Sequence, residues 1–437
     1  MNLFFQKLNG KLWSTNKMEQ YIAQMEADIA RYRQVEKSAE LTEYNGLKEV
    51  VKSKKFQQEK HNLQTTKYKT TKYYLTLQEL RSLEKDKILQ LYLQVCDSQI
   101  LKEYIDFRNS ENYIKLSDKK IVRTSPDLKR MANFESSKQY KAWLQLKDSK
   151  MPERYKNLKK EVATSEFQQQ NAFWSNSKRW LTTEQYQQEL RLAQLSKMPD
   201  IVFYLSQDSK KIEAMEKWRC TFNDEMQWTR LSDSPWKAGF AYKNKSLKSQ
   251  HSFTNEQQAN NGGKNTGSVN GTLTIITRRE AVTAPAWDTK KGFVNKDFEY
   301  TSDVIQTADS FRQKEGLFMI KVRAIGNIHH AAWLGNESRL PIVNLFHFNG
   351  KKIVMGLLSE KGFDGTSLRG ISEGKYYIYS LRWTEREMIF YVNNLEVYRS
   401  SYQLPKGELF LAFSSFISDK QRAEEGKFEI DWVRVYK

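Results

Sequence analysis

Between Gly10 and Gly239 the chain carries a single glycine, Gly46, although it has 19 in 437 residues. Strands that double back through tight turns draw on glycine for backbone conformations with positive φ. A stretch this long and this poor in glycine is therefore read as helical. Residues 15–215 are rich in Gln, Lys, Glu, Leu and Tyr, and their apolar residues recur at three- and four-residue spacing. The character changes between Lys217 and Asn223. From Trp236 onward, Gly and Asn clusters punctuate short runs of β-branched and aromatic residues, and the segments 273–277, 317–322, 376–383, 388–392, 409–414 and 428–436 read as strands. Asn255 to Asn270 has the composition of an exposed loop. The expectation is an all-α domain over 1–215, built as a helical repeat or bundle, followed by an all-β sandwich over 216–437.

Within the helical half a short pattern recurs: two apolar residues three apart, then Ser, then another apolar residue three further on. It reads Leu47-Val50-Ser53-Phe56, Tyr92-Val95-Ser98-Leu101, Tyr104-Phe107-Ser110-Tyr113 and Met131-Phe134-Ser137-Tyr140. Phe203-Ser206-Ser209-Ile212 and the stretch at Ser165 are looser copies. The physical reading is that one helix closes on the first apolar pair and the Ser caps the next, accepting a bond from an exposed amide. Units of this kind suit helix–turn–helix pairs that bury their faces by stacking on neighbours.

The formal charge is +19, unevenly divided: residues 1–200 hold 37 Lys and Arg against 25 Asp and Glu, the remainder 34 against 27. No run of five Lys or Arg appears, so a solvated lysine-rich helical surface is the plain reading, and nucleic acid is not the expected partner. Cys96 and Cys220 fall in different domains, which excludes a disulfide framework and suits a reducing compartment. The opening MNLFFQKLNGKLW has an apolar run of only three residues, Leu3 to Phe5, and no stretch approaches a membrane span. As written, the chain is expected in the cytoplasm.

The order of segments in the second half carries a resemblance. Phe222-Asn223-Asp224-Glu225-Met226 followed by Trp236, Gly271 to Ile275, Gly316 to Arg323, Ala331 to Leu334, Tyr376 to Trp383, Ile389 to Asn394 and the closing Ile430-Asp431-Trp432-Val433-Arg434-Val435-Tyr436 stand in sequence. Together they resemble the family-sixteen glycoside hydrolases, the laminarinase and lichenase type. The resemblance implies a concanavalin-like jelly roll with a concave sugar-binding face, and it covers roughly half the chain. It also implies a catalytic strand bearing a nucleophilic Glu, an assisting Asp and an acid/base Glu. Aligned on Pro341 and Asn349-Gly350, those positions hold Ile342, Asn344 and His347. If the strand lacks a bulge, Phe346 takes the third position instead. No carboxylate occupies the motif on either alignment.

The site is therefore expected to be catalytically degenerate, with Trp333, Tyr377, Tyr379, Trp383 and His347 as ligand-binding candidates. Aromatic rings stack on the apolar faces of sugars, although core packing is the rival role and the favoured one for Trp383. Of His329 and His330, adjacent on a strand, at most one faces His347. Two imidazoles and an amide are an incomplete ligand set, so neither metal nor other cofactor is expected. The leading expectation is a non-hydrolytic protein that binds a polysaccharide or oligosaccharide, with a helical domain available to a protein partner. A glycosidase with relocated acids, Glu337 or His347 among them, and an intracellular scaffold binding protein or polyanion are the alternatives.

Overall fold

A computed structural model gives the structure, and the residues it describes are 1–243, 250–372 and 374–437. The chain divides into two compact units, one formed by Met1–Gln34 together with Ser206–Lys437 and the other by Val35–Leu205. The first 34 residues thus contribute to the same unit as the strands, and the helical unit is an insertion in the chain of the sandwich unit. Helix Ser209–Glu216 also belongs with the strands.

The helical unit shows how its helices begin. Ser53 accepts a hydrogen bond from Phe56 N, Ser98 from Leu101 N and Ser137 from Tyr140 N, each at the start of a helix. The same geometry recurs with Thr71 and Tyr74, Asp86 and Leu89, and Thr183 and Tyr186. In every case the capping side chain satisfies an amide that has no partner within the helix. The copies are not uniform. Ser110, in one of the full copies, precedes a 3-10 turn without a capping bond, and in the looser copies Thr164, not Ser165, caps its helix and Asp208, not Ser209, caps the helix Ser209–Glu216. The apolar residue three positions after the cap is the one that turns inward: Phe56, Leu101 and Tyr140 are all buried. Around Tyr104, which is fully buried, Phe134 and Tyr140 form one aromatic core with Val95, Leu101 and Met131. Leu41, Tyr44, Leu195 and Ile201 form another.

The second unit begins with α1 (Leu3–Leu8) and α2 (Thr15–Glu36). Its strands are β1 (Cys220–Asp224), β2 (Lys237–Ala238), β3 (Ser252–Phe253), β4 (Gln258–Asn260), β5 (Thr266–Val269) and β6 (Thr272–Asp288). Next come β7 (Gly292–Ser302), β8 (Val304–Gln306), β9 (Gly316–Ile325), β10 (His329–Gly335), β11 (Ile342–Asn349) and β12 (Ile353–Ser359). The last are β13 (Gly362–Leu368), β14 (Tyr377–Trp383), β15 (Met388–Val392), β16 (Leu395–Ser400), β17 (Phe410–Phe416) and β18 (Gly426–Tyr436). They form two sheets. The larger runs β16-β15-β14-β9-β18-β6-β7-β4, with β1, β3 and β5 attached, and the smaller runs β13-β12-β11-β10-β17-β8-β2. Pairing is antiparallel except for β3 with β6 and β4 with β7. The segment Asn255 to Asn270, read from its composition as a loop, contains β4 and β5, and Gln258 and Ala259 are both 1% exposed.

The core lies between the sheets, where Phe318, Phe390, Phe413, Phe428 and Trp383 are almost fully buried. Asp224 explains one element of the resemblance. Its carboxylate accepts bonds from Met226 N, Trp228 Nε1 and Trp236 Nε1, gathering two indoles at the start of the sandwich. The N-terminal segment closes the structure from outside. Leu3 and Leu12 enter the main core, and Leu3 N bonds Arg369 O. Ile22 of α2 packs on Met319, Ile378 and Trp432, covering the outer face of the larger sheet. Beside it Lys321 Nζ bridges Glu19 and Asp431 at 2.6 and 2.8 Å. Among the described residues no helix is long and apolar enough to cross a membrane.

Candidate functional site

On a regular strand alternate residues share a face, so Ile342, Asn344 and Phe346 would point together. The strand β11 is not regular. Its pairing with β12 shifts register between Asn344 and His347, and the consecutive residues Leu345 and Phe346 both turn inward, 0% and 2% exposed. Phe346 stacks on Phe428 in the core at 5.5 Å. The bulge therefore returns His347 to the face of Ile342 and Asn344, and these three side chains line one depression of about 230 Å³. Trp333 and Ala331 from β10 and Ser414 and Phe416 from β17 complete its floor and side.

His347 does not stand alone. Its Nε2 lies 2.9 Å from His329 Nδ1, so one neutral ring donates to the other, and His329 also stacks on Phe416 at 4.4 Å. Burial pushes both imidazoles down to about 4, with the neighbouring ring adding to the effect at His329. At neutral pH the pair is uncharged and offers polar nitrogens rather than a proton. His330 faces the other way and is fully buried. Its Nε2–H donates to Ile325 O at 3.1 Å and its Nδ1 accepts from the Ser415 hydroxyl at 2.9 Å, with burial holding its pKa at about 3.

Tyr377 and Tyr379, read above as candidates for the cleft, stand in the core instead, and Trp383 takes the core role favoured for it. They lie on β14, which belongs to the larger sheet, and their shared face points between the sheets: Tyr379 and Trp383 are each 1% exposed. Tyr379 packs on Phe346 at 4.8 Å and Trp383 on Phe318 at 6.3 Å. Trp333 alone among the aromatic candidates reaches the cleft. It is partly buried beside Phe410, and Gly335 makes room for its ring, since a Cβ there would lie 2.5 Å from it.

A larger cavity of about 690 Å³ adjoins the depression, and Trp333, Ile342 and Glu256 line both. Its walls are aromatic, with Phe240, Tyr242, Phe253, Trp287 and Phe293 among them. Two carboxyls reach it, with opposite electrostatics. Glu337 pairs with Arg312 at 2.5 Å, and that guanidinium holds the carboxyl below its ordinary range. Glu256 is pushed up to about 7 by burial, against the opposing pull of its hydrogen bonds from Phe253 N and the Gln258 side chain. Glu360 is exposed on the turn between β12 and β13 and lines neither cavity. Glu256 was missed in the sequence because a Glu within a polar, turn-rich stretch carries no local sign of burial. Among the described residues no group of three or more His, Cys, Asp or Glu is placed to hold a metal ion.

No family model matches the chain, and no curated protein matches it. Solved structures resemble its second half. The catalytic domain of an endo-1,3-β-glucanase (laminarinase) from Thermotoga petrophila RKU-1 is 20% identical, over 50% of this chain and 98% of that one, with a TM-score of 0.40. The laminarinase from Flavobacterium sp. UMI-01 is 16% identical over 50% and 100%, and the endo-β-1,3-glucanase from Pyrococcus furiosus 16% over 50% and 94%, both with a TM-score of 0.40.

Proposed function

We propose that the cleft over β10, β11 and β17 binds a neutral oligosaccharide without hydrolysing it. The observation that carries the reading is the cleft face of β11, where Ile342, Asn344 and His347 point outward together and none bears a carboxyl. Retaining cleavage of a glycosidic bond needs two carboxyls about 5–5.5 Å apart, one to attack and one to move the proton. Isoleucine does neither. The neutral His329–His347 pair lacks a carboxylate to orient it, and at neutral pH neither ring is the imidazolium that would protonate a leaving group.

What remains suits binding. Trp333 offers an indole face to a sugar ring, while Asn344, His347 and Ser414 offer hydrogen-bonding groups beside it. The aromatic walls of the adjoining cavity extend that surface. The sequence motifs ending in Ile430 to Tyr436 support saccharide as the ligand class. Of the relocated acids, Glu337 is held by Arg312, which leaves it ionised and unable to donate a proton. Isothermal titration of the full chain with laminari- and agaro-oligosaccharides tests the reading. Heat of binding that disappears in Trp333→Ala is the expected result. Absence of heat with every oligosaccharide removes the ligand class, and release of reducing ends removes the non-hydrolytic part.

A further inference from the structure

The cleft face of β11 bears no acid, but one reaches the cleft from another direction. Glu256 sits in the turn between β3 and β4 and lines both the depression over β11 and the larger aromatic cavity. The residue is fixed at every handle. Its N–H bonds Phe253 O at 3.0 Å, and its own carbonyl accepts from Lys296 Nζ at 2.6 Å. Carboxyl Oε2 accepts from Phe253 N at 2.9 Å and from Gln258 Nε2 at 3.1 Å. Gln258 is itself buried and anchored, its Oε1 accepting from Ile417 N at 2.6 Å. Among the described residues no hydrogen bond to Oε1 is formed, so half of a rigidly held carboxyl is left for something in the cleft.

We infer that Glu256 is the group that reads the ligand: a carboxyl presented from the β3–β4 turn, whose Oε1 exchanges a hydrogen bond with a sugar hydroxyl between Trp333 and the aromatic wall. The inference rests on the saccharide reading above and extends it to a named residue. A buried carboxyl in apolar surroundings keeps its proton more readily, and Glu256 is pushed up to about 7. A ligand that seals the site removes still more water from it, and so binds the protonated form best. Affinity is then highest below that value and falls as the pH rises through it.

Other titratable groups around Glu256 do not produce the same dependence. Lys296 spends its ammonium on the backbone oxygens of Thr254 and Glu256 rather than on the carboxyl. On the cavity side His251 is lowered by burial, Tyr242 is raised to about 12, and Glu337 is lowered by Arg312. Toward β11, His329 and His347 titrate at about 4. Asp288, bonded to Thr254 Oγ1, is also held below its ordinary range.

The experiment is titration of the full chain with laminarihexaose at pH values of about 5.5 and 8.5, in wild type and in Glu256→Gln, which keeps a hydrogen-bonding side chain but cannot ionise. Wild-type affinity is expected to fall roughly tenfold at the higher pH, as the carboxyl ionises, and the variant to bind equally at both. Glu256→Leu, which removes the polar group and leaves Phe253 N and Gln258 Nε2 without their acceptor, is expected to bind weakly at both and to melt a few degrees below wild type, whereas Glu256→Gln keeps an acceptor there and melts close to wild type. Binding that ignores pH, or a pH dependence that persists in Glu256→Gln, overturns this inference and leaves the saccharide reading in place. Failure of wild type and variant alike to bind laminarihexaose or the agaro-oligosaccharides removes the saccharide reading, and the inference with it.

Discussion

Replacement of Leu3 by alanine is a severe test of how the chain is organised. Leu3 is 1% exposed and packs into the main core of the sandwich, although more than two hundred residues separate it from the first strand. It is held there by Leu3 N to Arg369 O at 2.8 Å, Arg369 N to Met1 O at 2.9 Å and the terminal amine to Ser367 O at 3.0 Å. Truncating a buried leucine removes its apolar transfer energy and leaves a cavity, together about 2–5 kcal/mol. Local release of α1 limits the loss, so the lower half of that range, about 2–3 kcal/mol, is expected. For a unit of this size each kcal/mol lowers the melting temperature by about 2–4 °C, which gives a fall of roughly 4–12 °C. The neighbours on the same short helix supply the control. Phe4 and Phe5 are 54% and 57% exposed, and their replacement by alanine is expected to cost less than about 0.5 kcal/mol each. Differential scanning calorimetry of the three variants is the assay. Equal melting of Leu3→Ala and wild type, or a larger loss at Phe4 or Phe5 than at Leu3, refutes the placement of the N-terminal segment in the sandwich.

Two further outcomes follow from single groups. Ser98→Ala and Ser137→Ala each remove a capping bond and are expected to destabilise the helical unit by about 1 kcal/mol in urea melts, whereas Ser110→Ala, with no such bond to lose, is expected to cost much less. The buried histidines set an acid limit. Their native pKa values lie below the unfolded value near 6.5, so the unfolded chain takes up protons first as the pH falls. The stability they contribute is complete above about 6.5 and is lost on descent toward 4 for His329 and His347 and toward 3 for His330. Denaturant melts of His329→Gln/His347→Gln should show a shallower loss than wild type over that interval, and identical slopes would rule the pair out as a source of it.

Much of the fold is legible in the sequence because its signals are local. Glycine scarcity and the Ser-x-x-apolar spacing act within a few residues, and all six segments read as strands are strands. What escapes is what depends on partners distant in the chain. Tyr379 and Trp383 alternate correctly on β14, but which face meets solvent depends on which sheet the strand joins. Only a register defines the bulge that swings His347 outward and Phe346 inward, although the aligned Pro341 and Asn349-Gly350 leave room for it. The apolar run Leu3 to Phe5 gives no sign that Leu3 is buried and the two phenylalanines exposed. Glu256 acquires its character from Phe253, Gln258 and the cavity wall, and nothing in NEQQANNGG marks it.

One ligand-observed NMR time course of laminarihexaose with the protein near neutral pH tests most directly whether the cleft holds a sugar chain without cutting it. Broadened or shifted sugar resonances, with no new reducing-end anomeric signals after prolonged incubation, are the predicted result. New anomeric signals that appear with wild type and vanish with Glu256→Gln or Glu337→Gln would contradict it, making the cleft an active site whose acids have moved off β11.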